Sequence, residues 1–318
     1  MIGRPFQPGD IIAPGYEVIE HLSRGRRLDV YDAWSGERGT RCVIKALRPE
    51  RASEQKAQAQ LAREGELLQT LSHPHLVRGY ETRMTPTPLI VMETLGGQTL
   101  AHMIEEEKRE LEPPELAHLA LQLGSAVRYL HRSGFLHLDL KPSNIVADGG
   151  FAKLIDLSLA RPPGPAPAGI GTWCYLAPEQ ATGGNLGPAA DVWGLGVVLF
   201  EAATGTPAFD DPDESDGDEP SDTEGEEVTT DGPATWESDD PADAGYPRLR
   251  ESAPPVRSVR ELEPALAHQI DACLSPDPAD RPALEELLAG LEVAARLPPS
   301  ERQWAPAPAP SASAESAA

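Results

Sequence analysis

Apolar and polar positions alternate over the first third of the chain, and then the spacing changes. Tyr16–Leu22 (YEVIEHL), Asp29–Trp34 (DVYDAW) and Arg41–Leu47 (RCVIKAL) read as β-strands, with turn-rich SGERGT between the last two. Ser53–Leu71 is rich in helix formers and sets Leu61, Leu67, Leu68 and Leu71 along one side of a helix. Two further apolar runs, HLVRGYE at 75–81 and PLIVMETL at 88–95, continue the strand pattern. Beyond Gly97 the pattern turns helical, over Pro114–Ser133 and again over Asp191–Thr204. Strands first and helices afterwards predict an α+β fold of two lobes, a β-rich N-lobe (about 14–95) and a helical C-lobe (about 96–292). The lobes would join near Glu93–Gly97 and leave a cleft between them. Residues 1–13 read as a leader.

Two segments lack this patterning. Residues 210–244 are Asp, Glu, Ser, Thr, Pro and Gly with almost nothing to bury, which cannot offset an ordering cost of about 1–2 kcal/mol per residue. The stretch 293–318 ends in a Pro/Ala/Ser tail of linker-like composition. The first of these changes the meaning of the net charge of −24. Between Asp210 and Asp243 lie 16 acidic residues and no Lys or Arg; without them 35 acids face 27 bases, a net of −8. The folded body is only mildly acidic, which argues against nucleic acid as the main partner. No run of about 18 apolar residues is present, and MIGRPFQPGD lacks the apolar core of a secretory signal, so no membrane span is expected. Cys42, Cys174 and Cys273 are an odd count without metal-ligand spacing and read as reduced thiols of a cytoplasmic protein.

The chemistry concentrates in FLHLDLKPSNIV, Phe135–Val146. Asp139, Lys141 and Asn144 stand at the spacing that phosphoryl transfer to a hydroxyl requires. The acid accepts the proton of an attacking alcohol, the lysine neutralises charge on the moving phosphoryl group, and the asparagine holds a divalent cation beside a second carboxylate. This stretch resembles the catalytic loop of protein kinases, in the serine/threonine version with Lys141 two residues after the acid. Around it, in order, stand CVIK with Lys45, LAREGELL with Glu64, LIDLSLAR with Asp156, GTWCYLAPEQ (Gly171–Gln180), DVWGLGVVLFEAATG from Asp191, and DPADRP with Arg281. Together they resemble the bacterial eukaryotic-like serine/threonine protein kinases over roughly residues 14–292.

The resemblance implies ATP and Mg²⁺ (or Mn²⁺) as cofactors and protein Ser/Thr hydroxyls as acceptors. Lys45 would hold the nucleotide phosphates and Glu64, rather than Glu66, would orient it. Asn144 and Asp156 would bind the metal. Leu22, Gly25, Val30, Val43, Met92 and Val146 would line the nucleotide pocket, with Glu93 to Leu95 offering backbone bonds to adenine. Thr172 would bond Asp139 and Lys141, Glu179 would pair with Arg281, and Asp191 would brace the catalytic loop.

Departures from the family pattern are as informative. The phosphate-covering loop reads LSRGRRLDVY: Gly25 remains, but Ser23 and Leu28 replace two glycines whose backbones approach phosphates closely. Arg24, Arg26 and Arg27 offer charge as compensation. Val43 narrows the adenine site. Leu138 replaces the arginine that would receive a phosphorylated activation loop, and that loop, RPPGPAPAGIG from Arg161, carries no Ser, Thr or Tyr. Loop phosphorylation is therefore not expected to activate the protein. Leu157 and Ser158 replace Phe and Gly of the metal-binding triplet. The acidic insertion falls after Pro207–Phe209 and reads as a solubilising loop, a docking arm for basic substrates, or a guard over the cleft. Two rival readings are a pseudokinase acting as ATP-binding scaffold, favoured by the degraded loop, and a small-molecule phosphotransferase, opposed by GTWCYLAPEQ.

Overall fold

The computed structural model describes residues 3–209, 252–294 and 296. The acidic insertion and the C-terminal tail expected from composition lie outside the described residues. The small lobe is a six-stranded antiparallel sheet. Its strands are β1 (Ile11–Ala13), β2 (Tyr16–Arg24), β3 (Leu28–Ser35), β4 (Thr40–Leu47), β5 (Gly79–Arg83) and β6 (Leu89–Glu93), in spatial order β1-β2-β3-β4-β6-β5. Helix α1 (Gln55–Thr70) lies between β4 and β5 in sequence and packs mainly on β5. One face of the sheet buries Tyr16, Val18, Tyr31, Ala33, Cys42, Ile44 and Val91, the in–out alternation expected of strands.

The N-terminal segment adds a strand to this sheet. Residues 3–13, within the expected leader, pack on the small lobe: Ile11–Ala13 pairs with β2, Ile12 and Ala13 are buried, and the Phe6 ring meets Tyr31 edge-on at 5.9 Å. A three-residue strand carries too few positions to show a period in the sequence.

The large lobe is built around two helices, α3 (Pro113–Arg132) and α5 (Pro188–Thr204). Every residue of α5 from Ala190 to Thr204 is buried, as an all-round apolar helix must be. Short α2 (Leu100–Glu105) follows β7 (Gln98–Thr99), which joins β8 (Ile145–Asp148) and β9 (Phe151–Leu154) in a three-stranded sheet below the cleft. Then come β10 (Gly164–Ala166), α4 (Pro178–Thr182) and β11 (Gly184–Leu186), with β10 and β11 paired antiparallel. Helices α6 (Val256–Val259), α7 (Pro264–Cys273) and α8 (Leu284–Ala294) complete the lobe, with α7 and α8 packed on α5 and α3 respectively.

The link between lobes is tightly seated. Gly96 N–H donates to Asp148 Oδ2 at 3.1 Å, and Lys153 of β9 forms an ion pair with Glu93. Gly97 lies so close to β8 that a Cβ there would sit 1.6 Å from the Ala147 carbonyl oxygen. Only glycine permits that approach.

Candidate active site

On the small-lobe side, Lys45 comes from β4 and Glu64 from α1. Glu64 shares a helix face with Leu61 and Leu68, three and four residues away, and all three are buried, whereas Glu66 is exposed. Lys45 Nζ donates to Glu64 Oε1 at 2.8 Å and to Asp156 Oδ2 at 2.9 Å, so one ammonium ties both lobes together. Burial alone would push the Lys45 ammonium toward neutrality, but Asp156 and Glu64 outweigh it and hold its pKa above the ordinary value. Asp156 is held well below the usual carboxylate range despite its burial, by Lys45 and by the Ser158 N–H donating to Oδ1 at 2.7 Å. Glu64, at 2% exposure and second in line for the same cation, is raised by burial to about 7.

On the large-lobe side, the catalytic-loop candidates form one hydrogen-bonded cluster. Thr172 Oγ1 donates to Asp139 Oδ1 at 2.7 Å and accepts from Lys141 Nζ at 2.8 Å, while Lys141 Nζ stands 3.4 Å from Asp139 Oδ2. Asn144 Nδ2 donates to both the Asp139 carbonyl and Asp139 Oδ2 at 3.0 Å. Those two bonds fix the Asn144 amide so that its oxygen faces away from Asp139, the orientation a cation ligand needs. Asn144 Oδ1 and the Asp156 carboxylate are hard oxygen donors suited to Mg²⁺ or Mn²⁺. Among the described residues no group of three or more His, Cys, Asp or Glu is gathered for a metal. A cation here would complete its shell with phosphate oxygens and water.

Asp191 braces this loop from beneath. It accepts from His137 N–H at 2.8 Å, from Leu138 N–H at 2.7 Å, and contacts His131 Nε2 at 2.7 Å. Its pKa is lowered because these donors overcome the burial of the carboxylate.

The expected pocket residues lie on the strands bordering the cleft. Val30 pairs with Lys45, Val43 with Met92 and, across the cleft floor, Val146 with both Thr99 and Lys153. Met92 and Val146 are buried, Val30, Val43 and Leu95 half-buried, and Leu22 is half exposed. Glu93 aims its side chain away from the cleft, to Lys153 and to the Arg78 N–H at 2.9 Å. At the loop tip, Gly25 N–H donates to the Leu28 carbonyl at 2.8 Å, closing a tight hairpin. Two of the three arginines there are already engaged. Arg24 reaches Glu50 at 3.1 Å and the Gly3 carbonyl at 2.9 Å, and Arg27 reaches Gln60 of α1 at 2.9 Å. Arg24 and Arg27 thus tie the hairpin to its own lobe, Arg24 through an ion pair and Arg27 through a hydrogen bond to a neutral amide.

Two side chains at this site escaped the sequence reading. Lys153 ties the lobe connection to β9, and Gln180 joins the Leu138 and Ile170 carbonyls. A signal existed for Gln180 alone, at the third helical position after Ala177, where Gln reaches back to the preceding backbone N–H.

Comparisons with known proteins identify the family. The protein kinase domain model matches residues 16–290. A probable serine/threonine-protein kinase of Streptomyces coelicolor is 33% identical over 207 residues, 61% of this chain and 31% of the relative. The serine/threonine-protein kinase PknB of Mycobacterium leprae is 32% identical over 64% of this chain and 33% of its own length. A probable serine/threonine-protein kinase of Corynebacterium efficiens is 28% identical over 90% of this chain and 42% of its own. The chain therefore spans less than half the length of the relatives it matches. With the family model covering both lobes and bacterial kinases among its relatives, the chain belongs to the protein kinase family, of the bacterial eukaryotic-like serine/threonine kind.

Proposed function

We propose that the chain is a serine/threonine protein kinase that transfers the ATP γ-phosphate to Ser or Thr hydroxyls of protein substrates. The observation that carries the reading is the bridge through Thr172, which holds the carboxylate of Asp139 and the ammonium of Lys141 3.4 Å apart. Asp139 orients an incoming hydroxyl and accepts its proton, and Lys141 balances charge on the transferred group. Lys45, held by Glu64, grips the nucleotide phosphates from above. Asn144 and Asp156 are the residues that would hold Mg²⁺ or Mn²⁺, which when bound supplies charge neutralisation between the phosphates. Leu22, Gly25, Val30, Val43, Met92 and Val146 enclose the adenine and ribose, with Glu93 to Leu95 bonding adenine through backbone.

This kinase works without activation-loop phosphorylation, because residues 161–171 offer no acceptor hydroxyl and Leu138 offers no cation to receive a phosphate. It acts in the cytoplasm, in keeping with Cys42, Cys174 and Cys273 as reduced thiols. No helix among the described residues is long and apolar enough to cross a membrane. Basic protein substrates dock on the acidic segment 210–244. Deleting residues 211–243 is expected to weaken binding of a basic peptide most at low salt; equal binding with and without the segment rejects that docking role.

Labelled phosphate transfer from ATP to the protein and to a basic protein substrate tests the main reading, with Asp139→Asn and Lys45→Met alongside. Transfer lost in both variants supports it. A second reading, a nucleotide-binding scaffold without turnover, is favoured by the loop tip, where Ser23 and Leu28 stand at glycine positions and Arg24 and Arg27 are tied elsewhere. It takes over if wild type binds ATP in a thermal-shift assay and transfers nothing.

A further inference from the structure

Leu138 immediately precedes the candidate base and adopts φ +65°, a left-handed backbone uncommon for any residue but glycine. Left alone, such a residue relaxes to negative φ and swings the following peptide. Here it is gripped at both ends. Its N–H donates to Asp191 Oδ1 at 2.7 Å, and its carbonyl accepts from Gln180 Nε2 at 2.9 Å.

Gln180 makes this contact from inside the protein, at 2% exposure. The same Nε2 donates a second bond to the Ile170 carbonyl at 2.8 Å, and Oε1 accepts from Ala177 N–H at 3.1 Å. Both amide protons are used. Its own carbonyl accepts from Gly169 N–H at 2.8 Å. Gln180 thereby bonds the segment carrying Thr172 and the loop carrying Asp139 at once. Elsewhere in that segment the β10–β11 ladder and the Leu136–Arg161 bridge hold the backbone, Arg161 Nη2 donates to the Pro165 carbonyl at 2.8 Å, and Thr172 Oγ1 bonds Asp139 and Lys141.

We infer that Gln180 is a positioning residue for phosphoryl transfer: a neutral, permanent clamp that holds the catalytic loop and activation segment in register. It does so in a chain whose segment 161–171 has no hydroxyl to phosphorylate and whose position 138 has no cation. A buried amide with both protons committed is set by folding rather than by a modifying enzyme, so the clamp is on whenever the lobe is folded. The inference rests on the kinase reading given above.

Gln180→Leu removes both donors at similar volume, and Gln180→Glu keeps the acceptor for Ala177 while facing the two carbonyls with a third oxygen. Each is expected to lower kcat roughly 10- to 100-fold, the scale of a misplaced catalytic group, with the KM for ATP within about twofold of wild type. The KM is spared because Lys45, Glu64 and Asp156 lie outside the clamp. Hydrogen exchange in the full-length protein should quicken at residues 138–140 and 170–172 in both variants. Placing Asn at 138, which tolerates left-handed φ better than Leu, should shrink the Gln180→Leu penalty on kcat by at least about threefold.

A kcat within twofold of wild type in both variants overturns the inference and leaves the kinase reading standing. So does a lowered kcat without faster exchange at 138–140, or an additive double mutant. Should wild type transfer no phosphate, the kinase reading fails by itself, and unchanged exchange in Gln180→Leu then overturns the clamp independently.

Discussion

Arg281 and Glu179 meet as a two-pronged ion pair, Nη1 to Oε1 at 2.6 Å and Nη2 to Oε2 at 2.9 Å, with the Arg281 side chain wholly buried. The guanidinium also donates to the carbonyls of Ser275, Ala189 and Pro276 and lies 5.0 Å over the Trp193 ring. One planar side chain therefore joins the start of α4, the approach to α5 and the turn after α7. Five donors in a rigid fork make this possible, which an ammonium could not copy.

Removing one partner of such a pair leaves a buried charge uncompensated, which costs about 3–5 kcal/mol. Arg281→Lys is expected to lose most of that despite retaining its charge, and Glu179→Gln less, since Glu179 keeps 17% exposure. Denaturant unfolding would measure both. Equal stability of wild type and Arg281→Lys would show that the fork geometry is not what holds these elements.

Gly97→Ala is expected to damage the connection between lobes. The new methyl would lie 1.6 Å from the Ala147 carbonyl oxygen, and neither backbone can yield without breaking the β7–β8 pairing. Overpacking of this kind costs about 1–3 kcal/mol. Melting temperature should fall, and ATP affinity should fall with it because the backbone proposed to bond adenine, Glu93 to Leu95, sits directly before this glycine. Gly36→Ala is the control, since its nearest neighbour would be 3.8 Å away. Matching behaviour of the two variants would count against a seated connection.

The meeting of Lys45, Glu64 and Asp156 was legible in the sequence because each belongs to a short pattern with its own chemistry. The resemblance singles out Glu64 over Glu66 by its register in the family's helix, and in the structure Glu64 shares a buried face with Leu61 and Leu68. By contrast, β10 lies in a Pro-rich run, PPGPAPAG, that reads as coil. Its pairing with β11 uses backbone atoms twenty residues apart, which leave no periodic trace. The partners of the loop-tip arginines are not legible in the sequence for a related reason. Composition counts their charge but not Glu50, which pairs with Arg24, or Gln60, which accepts from Arg27.

Activity should begin without a lag. With no acceptor hydroxyl between Leu159 and Gly171, phosphatase-treated enzyme is expected to start at the same rate as untreated enzyme, and the peptide covering that stretch should keep its unmodified mass after long incubation with ATP. A lag removed by preincubation with ATP, in step with phosphate on Ser158 or Thr172, would contradict this. Thr172 is poorly placed as an acceptor, since its hydroxyl is already engaged by Asp139 and Lys141.

The two carboxylates on Lys45 should leave opposite marks on stability as pH changes. Burial raises Glu64 from 4.5 to about 7 in the folded protein. The unfolded chain loses that proton near 4.5 while the folded one keeps it to about 7, so stability from this group falls as pH rises through the window. Asp156 is lowered, so its contribution is present above 3.8 and fades only as pH falls below that value. The windows do not overlap, and of these two carboxylates only Glu64 titrates between pH 5 and pH 8. Glu64→Gln removes the titration, so wild-type stability relative to this variant should be higher at pH 5 than at pH 8, by on the order of 3 kcal/mol at most. Paired denaturant melts at the two pH values read that difference directly, and the lost ion pair cancels because it is absent from the variant at both. A difference of opposite sign would mean that Glu64 is the better-stabilised anion of the two and that Lys45 belongs chiefly to it.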